Sequence, residues 1–128
     1  MIKYKVIPLA DKISSAVVKY QYYPRICDRE KINLLELSRL ISRQCSFTTA
    51  DVYGVLEAFV GNIPSLLLEN KSIELGDLGI FSLHAKAKGS PEKQQVTKNN
   101  ITELKIAFRP SKRLKQSLVG AKFQKVKS

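Results

Sequence analysis

His84, Lys86 and Lys88 recur at every second position between Phe81 and Gly89. On an extended strand that spacing sets all three on one face, with Phe81, Leu83, Ala85 and Ala87 on the other. A second cationic set follows Phe108: residues 109–128 hold seven Lys or Arg and no Asp or Glu. Within it Leu114 and Leu118 lie one helical turn apart, so Lys112, Arg113 and Gln116 fall opposite them and Lys115 lies at the flank. Ammonium and guanidinium groups without carboxylates displace counterions from phosphate. Each neutralised phosphate changes the logarithmic salt slope by about 0.9. Lysine acts there as a point charge. The lack of arginine from 82 to 108 argues against bidentate base reading and tight insertion in a groove.

The whole chain agrees with a polyanion partner. Its 128 residues suit one domain, and 44% hydrophobic residues allow a core. Twenty-two Lys and Arg against eleven Asp and Glu leave +11, which repels itself unless a polyanion relieves it. Nucleic acid is the first candidate and an anionic membrane the second. Residues 1–70 hold nine basic and seven acidic side chains, and residues 71–128 hold thirteen and four. The partner is therefore expected mainly at the second half.

Other chemistry finds little support. MIKYKVIPLADK lacks the apolar run of a signal peptide, and no stretch approaches the roughly 20 apolar residues of a membrane span. A cytoplasmic location and no membrane partner are expected. Cys27 and Cys45 lack metal-type spacing and read as reduced thiols. One histidine and no Gly-rich phosphate loop leave no basis for an enzyme, a cofactor, a metal or a small-molecule substrate.

The elements that must position these cations follow from periodicity. Residues 2–7 alternate as a strand, 8–15 read as a loop, and Val18, Tyr20 and Tyr22 mark a second strand that Pro24 ends. Asn33 caps a helix to about Gln44, with Glu36 three residues on. Thr48 or Thr49 caps another, with Asp51 in its first turn. Val52, Val55, Leu56, Phe59, Val60 and Ile63 make it apolar on more of its circumference than one short neighbour covers, which predicts packing against a second copy. Pro64 predicts a kink or an early end. Asn70 is a left-handed stop, 72–75 a short strand and 76–79 a turn. Phe81 and Phe108 root a long hairpin broken by Gly89-Ser90-Pro91, and a last helix starts near Pro110. Its N-terminal N–H groups offer a phosphate site.

At LGDLGIF (75–81) and FRPSKRLKQSL (108–118) the chain resembles the bacterial histone-like HU and integration host factor proteins. LLELSRLISRQ…TTADVYGVLEAF is similar in pattern, and the likeness covers about 33–118. The added N-terminal strands look like the longer HU-like variant of Bacteroidetes. Asp77 and Ser111 stand where the family has glycine, and KGSP at 88–91 replaces the family's R-N-P tip. The resemblance implies an α+β HU-like fold: a two-helix N-terminal unit, a three-stranded antiparallel sheet with a long β-hairpin arm, and a short C-terminal helix. It implies an intertwined homodimer that binds DNA through the minor groove and bends it.

The expected organisation is a β extension over 1–32, an HU-like domain over 33–118 and a basic tail over 119–128. The expected DNA contacts are His84, Lys86, Lys88, Pro91, Lys93, Lys98, Lys105, Arg109, Lys112, Arg113 and Lys115. The expected dimer core is Leu56, Phe59, Val60, Ile63, Phe81 and Phe108. The expected function is largely sequence-independent binding, bending or compaction of double-stranded DNA in the nucleoid. The alternative is an HU-like interaction protein whose N-terminal strands recruit a protein partner; RNA or ribosome association is weaker. Blander readings exist for single features. Basic strand residues protect edges from aggregation, and basic helix residues can be merely solvated. Pro91 is read as a turn proline before an intercalating wedge. Tyr4, Tyr20, Tyr22 and Tyr23 read as half-buried strand residues before a stacking platform.

Overall fold

A computed structural model describes residues 1–11 and 19–127. Among them the chain forms β1 (Ile2–Asp11), β2 (Lys19–Ile26), α1 (Leu34–Ser42), α2 (Thr49–Leu68), β3 (Ile73–Glu74), β4 (Gly79–Ala87), β5 (Ile101–Pro110), α3 (Lys112–Gln116) and β6 (Phe123–Lys125). The class is mixed α+β. The chain divides into two compact units, residues 1–32 with 119–128, and residues 33–118.

The first unit is a three-stranded sheet in the order β2-β1-β6. Sequence reading has 119–128 as a tail. Instead Phe123–Lys125 runs parallel to Ile2–Tyr4, and the Val126 amide donates to the Tyr4 carbonyl. Parallel pairing between chain ends leaves no local turn signal to read. β1 also continues through Pro8 to Asp11, where a loop is expected; residues 12–15 and Val18 lie outside the described residues. Pro24 does not end β2. The Cys27 amide donates to the Lys3 carbonyl, and bonded pairs alternate along an antiparallel ladder. Pro24, registered opposite Val6, thus falls at a non-bonded position on an edge strand, where a missing N–H costs nothing.

This folding redistributes the charge. The first unit carries ten basic and three acidic residues, a surplus of seven in about a third of the chain. The second carries twelve and eight, a surplus of four. The expected concentration of charge in the second half of the sequence is not a concentration in the HU-like unit.

In the second unit the caps are local and legible. Asn33 Oδ1 accepts from the Glu36 amide at 2.8 Å, and Thr48 Oγ1 from the Asp51 amide at 3.1 Å. The first helix stops at Ser42, two residues short of Gln44. Pro64 neither ends nor divides α2, which runs 20 residues to Leu68. Carbonyls beside the proline are served by side chains: Asn62 Nδ2 donates to Ala58 O and Ser65 Oγ to Gly61 O. By length and composition alone α2 could cross a membrane, contrary to the sequence expectation. Among the described residues the buried apolar side chains are Val52 and Leu67, while Val55 is 69% and Leu68 74% exposed.

Asn70, at φ 61°, ends the helix turn in the left-handed region. β3, β4 and β5 form an antiparallel sheet in that order. The turn between β3 and β4 uses Gly76 at φ 54° and Gly79 at φ 146°. The last helix begins after Ser111, not at Pro110, which is the final residue of β5. Helix α3 has five residues, so Leu118 lies beyond it and is exposed.

A methyl group at Gly79 would collide with the Arg109 carbonyl oxygen and the Phe108 ring, whereas nothing lies within 4 Å of one at Gly76. Gly79→Ala is expected to lower unfolding free energy by about 2 kcal/mol or more, and Gly76→Asn by under about 1 kcal/mol, in urea titrations. Equal losses would contradict the close approach of the two strands at Gly79.

Candidate nucleic-acid interface

The β4–β5 register decides which cations meet. Ile80 pairs with Arg109, Ser82 with Ala107, His84 with Lys105 and Lys86 with Glu103. Partners in register share a face, so His84, Lys86, Lys105 and Arg109 lie together. Glu103, which sequence reading does not single out, stands opposite Lys86 and dilutes the field there. It was legible as the acidic residue two positions before Lys105. The other face carries Phe81 with Phe108, Leu83 with Ile106 and Ala85 with Leu104. The Phe81 and Phe108 rings lie 4.7 Å apart between centroids. His84 Nε2 and Ser82 Oγ are 3.2 Å apart along the strand.

Beyond Lys86 the register shifts by one residue, and Thr102 Oγ1 donates to the Lys86 carbonyl at 3.0 Å. Residues 88–100 then fold back on Asn100. Its Nδ2 donates to Lys88 O and Ser90 Oγ, both at 2.9 Å, and its Oδ1 accepts from the Thr97 amide at 2.9 Å. Two short 3-10 turns, Lys93–Gln95 and Lys98–Asn100, complete the segment. The polar run 92–100 closes by hydrogen bonds rather than by apolar packing. Thr97 and Asn100 form a capping box, a signal present in the sequence as Thr-x-x-Asn but not read. Lys88, Pro91, Lys93 and Lys98 are all exposed there, beside one carboxylate, Glu92.

Lys112, Arg113 and Lys115 are exposed on α3. Arg113 Nη1 donates to Asp77 Oδ2 at 2.5 Å, an exposed pair with a modest energy of about 0–1 kcal/mol. The expected helix-terminus phosphate site does not stand. The helix is five residues long, and Ser111 Oγ already accepts from the Leu114 amide at 3.0 Å. Ser111 Oγ also donates to the Asp77 carbonyl, and the Ser111 amide donates to Leu78 O. The two segments that carry the family resemblance are thus bonded to each other, through the two residues that replace family glycines.

Among the described residues no group of three or more His, Cys, Asp or Glu could hold a metal ion. Cys27 and Cys45 are free thiols.

A family model described as an HU domain fused to wHTH, Ig or a glycine-rich motif, HU-HIG, matches residues 1–125. The chain belongs to the HU-HIG family. Its strands before residue 33 are therefore part of the matched unit, which the shorter resemblance over 33–118 does not reach. No curated protein matches. Among solved structures, a crystal structure at 2.25 Å of a Bacteroides vulgatus ATCC 8482 protein, provisionally described as a bacterial DNA-binding protein, superposes with a TM-score of 0.59. It is 9% identical over 98% of this chain, which spans 48% of that one, so the likeness is one of fold.

Asn100→Ala removes three side-chain hydrogen bonds from the hairpin end. The Thr97 amide is expected to lose protection in hydrogen exchange, while global stability falls by only about 1 kcal/mol. An unchanged Thr97 exchange rate would contradict the assigned role.

Proposed function

We propose that this HU-HIG chain binds double-stranded DNA, largely without sequence preference, as a homodimer, and that it works in the bacterial nucleoid. The observation that carries the reading is the hairpin register. It sets His84, Lys86, Lys105 and Arg109 on one face and continues into Lys88, Lys93 and Lys98. Such a face tracks phosphates without reading bases. Lys112 and Lys115 extend the cationic set, and Arg113 contributes the part of its guanidinium not spent on Asp77. Family membership and the DNA-binding description of the Bacteroides neighbour support it. Pro91, exposed at the hairpin end, would assist bending by resting against a base step, as apolar wedges do. The reading is of a binding protein, not an enzyme.

A second copy is the proposed cover for α2. Leu56, Phe59, Val60 and Ile63 lie on a helix whose apolar surface the chain leaves largely open, and Phe81 and Phe108 sit on the equally open apolar face of the hairpin. Asp51, Glu57 and Asn62 on the same helix favour a protein cover over lipid. A protein-partner role for residues 1–32 is favoured by one observation: Tyr20, Tyr22 and Tyr23 are exposed rather than half-buried, Tyr22 by 71%.

Fluorescence anisotropy with a duplex of mixed sequence at several salt concentrations tests the reading. Replacing Lys86, Lys88, Lys93 and Lys98 by Gln is expected to lower the salt slope by about 0.9 for each lost phosphate contact. No binding by the natural chain at low salt, or a slope untouched by the four changes, would overturn it.

A further inference from the structure

The first unit carries more net charge than the HU-like unit, and its sheet gathers three of those cations at one end of one face. Ile2, Tyr4, Val6 and Pro8 of β1 share a side with Tyr22 and Pro24 of β2, and Phe123 and Lys125 join them from β6. The opposite side carries Lys3, Lys5 and Arg25 at one end, with Gln124, then Ile7, Tyr23, Leu9 and Gln21, and Asp11 registered opposite Lys19 at the far end. Lys5 and Arg25 are direct cross-strand partners. The Cys27–Lys3 bond places them, two residues on, at a hydrogen-bonded pair, and Lys3 follows on the same face. Like charges directly opposite each other destabilise a sheet. Among the described residues no carboxylate lies within ion-pair distance of any of the three. Three cations placed together without a described counter-charge favour an anionic partner.

We infer that Lys3, Lys5 and Arg25 form a second contact surface for the DNA phosphate backbone, separate from the hairpin. The inference rests on the DNA-binding reading above and extends it to the unit outside the HU-like one. Arg25 supplies a planar fork suited to a phosphate, and the lysines act as point charges beside it. Gln21 and Gln124, on the same face, offer neutral donors to backbone oxygens. Tyr23 adds an exposed phenol there.

The test is the full chain with K3Q, K5Q and R25Q combined, titrated with duplex DNA across a salt series. If all three contact phosphates, the salt slope falls by about 2.7 per bound chain. The charge-preserving K3R/K5R variant is expected to keep the natural slope. Relief of the Lys5–Arg25 repulsion should leave the thermal midpoint of K3Q/K5Q/R25Q unchanged or raised, which separates lost contact from lost fold; K5Q alone, with an expected loss of about 0.9, serves if the triple variant unfolds. Natural affinity and slope in the folded variants would overturn the inference while leaving the hairpin reading intact. Absence of binding by the natural chain would overturn both.

Discussion

Apolar surface that the chain does not cover by itself governs the rest of the structure. Val55, Phe59, Val60 and Leu68 all project from α2 into the open. Fully burying such a side chain is worth about 1.5–3 kcal/mol, so these four, exposed by 37–74%, together forgo about 4–7 kcal/mol. That reaches the lower end of the whole stability of an ordinary domain, about 5–15 kcal/mol. Leu104, Ile106 and Phe108 repeat the deficit along one face of the hairpin. This open surface is what the proposed second copy would cover. On the hairpin the cations take the face opposite these apolar residues: His84, Lys86, Lys105 and Arg109 share it.

The hairpin shows how tightly the two demands are joined. Alternation at period two means that Phe81 and Phe108 cannot stack on one side without His84, Lys105 and Arg109 appearing on the other. A slip of one residue would exchange the two faces. Gly79 holds the register at one end, where its strand passes too close to Arg109 for any side chain. Asn100 closes the other end.

What could be read in the sequence was what local chemistry decides. The caps at Asn33 and Thr48, the left-handed Asn70 and the Gly76–Gly79 turn each depend on a few neighbouring residues. Period-two alternation found the hairpin strands. What escaped was non-local or compensated. β6 pairs with a strand about 120 residues away. Pro64 lies within an unbroken 20-residue helix, which local propensity does not foresee. Asp77 and Ser111 look like losses when each is compared with a glycine alone; together they bind the turn to the last helix. Charge counted along the chain also misplaced the surplus, because the last ten residues fold with the first thirty-two.

The central claim is that a second copy covers α2 and so presents the cationic hairpins in pairs. Sedimentation equilibrium of the DNA-free chain at micromolar concentration tests it most directly. The account predicts a folded species of twice the 14.4 kDa chain mass, reduced to unfolded monomer when Phe59 and Val60 are both replaced by Asp. A folded, cooperative monomer of 14.4 kDa at that concentration would contradict it.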